Sequence, residues 1–140
     1  MADGARLASA VMFVRDLDRS VRFYAELLGL DIADRSPTAA LLVSPAGAHL
    51  ILRAMGRSAM HVLGGTGVQY VAWVVSTAAD LARCEEVLKA HSAYSQTRGE
   101  DGVSTVEGRD PDGVVVLLQY PGPEDVPLRD LHLCTRIYAW

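Results

Sequence analysis

The sequence predicts an α+β fold assembled from two similar βαβββ halves. First, a strand followed by an amphipathic helix occurs twice, and aligning Ser9 with Tyr70 superposes both units at an offset of 61. Second, each half ends on a strand opened by a turn glycine, Gly47 and Gly113, at an offset of 66. Third, the chain has 140 residues, 50% of them hydrophobic, which is the size and apolar content of one domain with a substantial core. An internal duplication is the simplest account of the repeat.

The first half opens at residues 9–14, rich in β-formers and read as a strand. Asp16 and Asp18 then mark a helix entry, since a carboxylate accepts orphan N–H groups and suits the positive end of the dipole. Val21, Tyr24, Leu27 and Leu28 make one apolar helical face, and Gly29 supplies the left-handed stop. Short strands are expected at 31–33 and 39–44, a turn at Pro45 to Gly47, and a further strand at 49–53. Residues 55–67 contain four glycines and read as a linker. The pattern then restarts with a strand at 70–75 and a capping box of Thr77 and Asp80. A second helical stripe follows, of Leu81, Cys84, Val87 and Leu88. A polar loop is expected next, then a strand at 103–107. The turn Asp110-Pro111-Asp112-Gly113 leads into 114–120, the most strand-like run of the chain. The expected organisation is one domain over 1–140, with modules at about 7–54 and 68–120 and a tail at 121–140.

Composition excludes several classes. A net charge of −4 without any Lys/Arg cluster argues against a nucleic-acid partner. No apolar run approaches the ~20 residues that span a bilayer. The first residues lack a cationic segment followed by an apolar one, so a cytoplasmic location without membrane association is expected. Cys84 and Cys134 have no metal-type spacing, and Cys84 reads as a small core residue.

The run from Phe13 through Asp16, Leu17 and Asp18 to Phe23 and Tyr24 resembles the first strand-to-helix signature of the vicinal oxygen chelate superfamily. That superfamily includes glyoxalase I, extradiol dioxygenases, and fosfomycin- and bleomycin-resistance proteins. Asp110-Pro111-Asp112-Gly113 with its following strand resembles the C-terminal signature. The resemblance spans roughly residues 7–120 and implies paired βαβββ modules curling into a cup, with helices outside, a pocket inside, and a homodimer. It also implies four metal positions, which fall here on Ser9, Ile51, Tyr70 and Leu117. A divalent cation needs imidazole, carboxylate or thiolate, and Ile and Leu carry no donor at all. Shifting the alignment by one residue meets Ala10, Leu50, Leu52, Val71, Val116 and Leu118, with Gln69 the one polar neighbour. The other histidines, His61, His91 and His132, show no ligand spacing. No metal and no other cofactor is therefore expected.

Alternation along strands puts the four positions on one inner face. The ligand-binding candidates on that face are Ser9, Val11, Phe13, His49, Ile51, Arg53, Tyr70, Ala72, Val115, Leu117 and Gln119, with Val74 between them. Met12, Val14, Trp73, Val75, Val116 and Leu118 would pack under the helices. A mostly apolar face with few polar groups suits a small apolar or aromatic ligand. His49, Tyr70 and Arg53 are the catalytic candidates, as a base and as two groups that stabilise negative charge. Each also has a plainer reading: a strand-end histidine, a space-filling phenol and a surface ion-pair partner. Phe13 is the stacking candidate, and Glu107 is placed near the mouth of the cavity. The leading expectation is a metal-free small-molecule binding protein, drug-sequestering like the bleomycin-resistance branch. The alternative is a metal-independent isomerase or cyclase of a biosynthetic pathway, and the third is a metal-dependent glyoxalase or dioxygenase. The tail, with a short helix near Leu128 to Cys134 and aromatic Tyr138 and Trp140, is expected to pack across the dimer or over the pocket mouth.

Overall fold

The computed structural model describes residues 5, 8–58, 70–100 and 102–122. The tail from residue 123, most of the linker, Gln69, His61, His132 and Cys134 lie outside the described residues. The chain divides into two compact units, Met1–His61 and Val62–Trp140.

The first unit runs β1 (Ser9–Val14), α1 (Leu17–Leu28), β2 (Asp31–Arg35), β3 (Ala39–Val43) and β4 (His49–Ala54). Its sheet has the order β1-β4-β3-β2, with β1 parallel to β4 and the remaining pairs antiparallel. Asp16 caps α1 by accepting from the Arg19 N–H, and Gly29 ends it at φ 63°. The predicted stripe holds at Val21, Tyr24 and Leu27, whereas Leu28 is half-buried and Phe23 takes a core place. Phe23 meets Tyr24 edge-to-face at 5.1 Å between centroids, an arrangement that suits the ring quadrupoles. The helix covers the sheet face carrying Val14, Ala40, Leu42, Leu50 and Leu52, all buried. An Arg35–Asp18 ion pair joins the edge strand to the helix on that side.

The second unit repeats the plan: β5 (Tyr70–Val74), α2 (Ala78–Ala90), β6 (Tyr94–Glu100), β7 (Val103–Arg109) and β8 (Val115–Tyr120). Its order is β5-β8-β7-β6, again with the first and last strands parallel. Thr77 caps α2 by accepting from the Asp80 N–H at 3.0 Å, as its capping-box spacing predicts. Leu81, Cys84 and Leu88 are buried on its inner side, and burial pushes the Cys84 thiol up from its ordinary pKa.

The duplication reaches the level of single hydrogen bonds. In the turn before β4, the Ser44 and Ala48 backbones pair, Ser44 Oγ accepts from Ala48 N–H, and Gly47 N–H donates to Ser44 O. In the turn before β8, Asp110, Val114 and Gly113 make the same three contacts, with Asp110 Oδ1 in place of the hydroxyl. Both glycines hold a left-handed backbone, φ 91° and φ 86°, which is why each turn needs one.

The largest departure from expectation is β6. Residues after α2 read as a polar loop, yet Tyr94–Glu100 forms a full edge strand against β7. Several strands also extend beyond their expected ends, to Arg35 in β2 and to Arg109 in β7. Gly108 explains how closely β7 approaches α2. A Cβ there would lie 2.7 Å from the Ala93 carbonyl oxygen and 2.7 and 2.9 Å from the Leu88 methyls.

Candidate functional site

The helix-covered side of the second sheet is identified by its contacts. Gly108 abuts Leu88 of α2, and Thr97 bonds Glu85 of the same helix. Alternation then places Gln96, Arg98, Thr105, Glu107, Leu117 and Gln119 on the opposite face. Register aligns them in two rows across the sheet. Arg98, Thr105, Gln119 and Val74 form one row; Gln96, Glu107, Leu117 and Ala72 form the next.

This face is buried and polar at its β6–β7 side. Glu107, Thr105 and Gln119 are all buried. The Arg98 and Glu107 side chains retain only 13% and 10% of their exposure, with Arg98 Nη2 3.8 Å from Glu107 Oε1. Gln96 Nε2 donates to Glu107 Oε2 at 3.4 Å. Arg98 Nε and Nη2 are buried without a hydrogen-bond partner. A buried guanidinium edge without a hydrogen bond is unfavourable, which the neighbouring Glu107 charge partly offsets.

The corresponding face of the first sheet is open and apolar. Val11 and Phe13 are 57% and 63% exposed, and Ile51 is half-buried between exposed His49 and Arg53. Register sets Ser9 beside His49, Val11 beside Ile51, and Phe13 beside Arg53. Among the described residues the His49 imidazole has no partner that would orient it, unlike the carboxylate of Glu107. In the second sheet, Tyr70 lies beside Val115, Ala72 beside Leu117, and Val74 beside Gln119. Tyr70 is half-buried and Val115 is buried. Trp73 pairs with Leu118 on the helix side.

All eleven residues expected to bind ligand thus lie on the faces turned away from the helices, Ser9 to Arg53 in one unit and Tyr70 to Gln119 in the other. Sequence reasoning does not reach Gln96 and Arg98, because nothing local marks their strand, and it gives Thr105 no role although 103–107 reads as a strand. It noted Glu107 without weighting it. Alternation of Gln96 and Arg98 with Thr97 was the available signal, and no apolar residue marked which side was inward.

A divalent metal at the four positions that the resemblance implies would meet one hydroxyl, one phenol and two hydrocarbon side chains. That donor set does not fit the ion. Glu107 is the cross-strand neighbour of Leu117, but Arg98 already places a positive charge beside it. Among the described residues no group of three or more His, Cys, Asp or Glu side chains converges.

Comparison with known proteins agrees with the geometry. No curated protein matches the chain. A glyoxylase/bleomycin resistance protein/dioxygenase domain from Frankia sp. EAN1pec is similar at 25% identity and TM-score 0.69, over 84% of this chain and 92% of that one. Lactoylglutathione lyase from Agrobacterium tumefaciens shares the fold at 16% identity and TM-score 0.65, over 84% and 95% of the two chains. The fosfomycin resistance protein FosX from Mesorhizobium loti does so at 15% identity and TM-score 0.66, over 89% and 98%. The sequence pattern of one family matches residues 6–118, across both βαβββ units. The chain belongs to the Glyoxalase/Bleomycin resistance protein/Dioxygenase superfamily.

Proposed function

We propose that this chain is a small-molecule binding protein that holds an apolar or aromatic ligand without a divalent metal, in the drug-sequestering manner of bleomycin resistance, and works as a cytoplasmic homodimer. The supporting observation is the chemistry of the four family positions: Ile51 and Leu117 put hydrocarbon where a metal would need donors. Beside Ile51, Val11 and Phe13 offer exposed apolar contact area. No described helix is long and apolar enough to cross a membrane.

The test is a thermal-shift screen against aromatic antibiotics and metabolites, before and after treatment with a chelator. A ligand selective for the folded state raises the apparent stability by about 2.7 kcal/mol at a hundred times its Kd. The expected result is at least one such ligand, with the same shift after chelation and a dimer mass by light scattering. A stoichiometric metal whose removal abolishes the shift refutes the proposal.

Buried Glu107 favours a second reading, a metal-independent isomerase or cyclase. A buried carboxylate beside the apolar Leu117 position is better placed for proton transfer than exposed His49, with Tyr70 of the same unit left to stabilise negative charge. Recovery of the bound compound unchanged supports binding alone. Slow conversion lost in Glu107→Gln and kept in His49→Ala supports the enzyme.

A further inference from the structure

Arg53 stands alone at one end of the open face of the first sheet. It is exposed, and among the described residues its guanidinium takes part in no ion pair or hydrogen bond. Its surroundings are apolar. Register sets it between Phe13 of β1 and Ala39 of β3, and Ile51 precedes it on the same face. Met55 N–H donates to Val14 O at 2.8 Å, which carries the β1–β4 ladder one residue past the end of β4. Val11, Phe13 and Met55 are three of the five exposed large hydrophobic residues among those described, so hydrocarbon left in water is gathered around one unpaired cation. A scattered exposed side chain means little, whereas such a cluster beside a polar group marks a binding surface.

Charge decides what fits there. The other ionisable groups on this face are His49, in the row of Ser9, and Asp31 and Asp34 of the edge strand β2. Asp34 shares a row with Leu41 and Ile51 and lies two strands from β4, about 10 Å away laterally at the usual strand spacing. An anion about 4 Å from Arg53 gains about 1 kcal/mol even at the dielectric of water. A carboxylate beyond one Debye length, about 8 Å at physiological salt, is largely screened. Arg53 therefore sets the charge that this end of the face accepts, and it selects against a cation. Its planar fork matches the two oxygens of a carboxylate. Phe13, one strand away at about 4.8 Å, offers a ring for offset stacking, and Ala39 on the other side is too short to cover the guanidinium. We infer that Phe13 and Arg53 form a receptor for an aromatic carboxylate, its ring lying on Phe13 and Val11 and its carboxylate held by Arg53. The assignment rests on the small-molecule reading of function and names the chemical class of the ligand.

Three probes separate ring from charge: naphthoate, its neutral amide naphthamide, and cyclohexanecarboxylate, which keeps the charge without the aromatic ring. Each is titrated into the full-length protein labelled with ¹⁵N, and the Arg53 Nε–H signal is followed together with the backbone amides of Val11, Phe13 and Arg53. On the wild type, naphthoate should move all of these signals and bind about tenfold more tightly than either other probe. Its margin over the amide should shrink in about 1 M salt. Arg53→Met should bring naphthoate down to the affinity of naphthamide, and Arg53→Lys, a charge without the fork, should keep only part of the margin. Phe13→Leu should weaken naphthoate and leave cyclohexanecarboxylate unchanged. Both positions are exposed, so these variants should fold as the wild type does. Naphthamide binding as tightly as naphthoate, or naphthoate affinity unchanged in Arg53→Met, overturns the inference while leaving an aromatic-binding face. Val11 and Phe13 signals that follow protein concentration and no probe would make the face a contact between copies of this chain, and overturn it too. If no probe moves any signal, the carboxylate receptor falls, and the thermal-shift screen decides separately whether the protein binds a small molecule elsewhere.

Discussion

Replacing Arg98 with Met, Glu107 with Leu, and then both, measures how far the face opposite α2 is removed from water. At 3.8 Å the attraction between the two charges is about 4 kcal/mol at an effective dielectric near 20. Side chains with 13% and 10% exposure feel little solvent screening, so that figure needs little reduction. Removing one member leaves the other buried without its counter-charge, at about 3 kcal/mol. The value lies at the low end of the usual range because the pair is not hydrogen-bonded and Gln96 still serves Glu107. The double variant should cost no more than the worse single one, since hydrocarbon of similar volume restores packing without a charge to desolvate. The expected coupling energy is therefore about 3 kcal/mol. It is read from urea unfolding followed by the fluorescence of the two tryptophans, and m-values should stay constant across the set. Coupling should persist in about 1 M salt, which screens an exposed pair and not a buried one. Single effects that add to within about 0.5 kcal/mol would mean that the pair is neither close nor dry, and the site built on it would fall.

Gly108→Ala should destabilise by about 1–3 kcal/mol, because its Cβ would collide with the Ala93 carbonyl at 2.7 Å; chemical denaturation checks this. Phe13→Ala should leave stability within about 0.5 kcal/mol, since the residue is 63% exposed, while weakening the binding of an aromatic ligand by calorimetry. The Thr97 hydroxyl, and then Lys89, hold the Glu85 carboxyl below its ordinary pKa. The folded value is the lower one, so this contribution is present above the unfolded pKa and lost as pH falls through the folded one. Glu85 in turn raises Lys89, whose contribution is present below its unfolded pKa and lost as pH rises through the folded one. Thr97→Val should thus flatten the acid limb of a stability–pH curve and leave the alkaline limb nearly unchanged.

What the sequence disclosed follows from which features have local causes. Asp16, Thr77, Gly47 and Gly113 act through hydrogen bonds and backbone angles within a few residues, so caps and turns are legible to within a residue or two. Alternation in β1, β4, β5 and β8 was legible because an apolar helix-facing set marks one side. In β6 no such set exists: Ser95, Gln96, Thr97, Arg98 and Gly99 are polar or small, and the strand exists by pairing with β7. Its partner β7 begins at Val103, directly after it, so the pairing is local; what is missing is an apolar alternation in β6 that would mark it as a strand. The polar part of the candidate site was hidden for the same reason. Gln96 and Arg98 belong to it only once register aligns them with Glu107 and Thr105.

The two units also show why the site can change while the frame does not. In each, α1 or α2 covers one face of its sheet, and the turn before the last strand keeps the same three hydrogen bonds, whether Ser44 or Asp110 supplies the side-chain oxygen. Those contacts and the helix-facing residues hold the module together. The opposite face contributes nothing to the contact between helix and sheet, so substitutions there leave that packing intact, whatever they cost within the face itself. The outcome differs between the copies: exposed Val11 and Phe13 in the first, half-buried Arg98 with buried Glu107 and Gln119 in the second. Hydrocarbon at Ile51 and Leu117 is then the expected kind of change, because exchanging a metal donor for an aliphatic side chain there leaves every cap, turn and helix contact intact. The faces turned away from the helices can differ in chemistry without disturbing any cap, turn or helix contact, and in the two units they do differ.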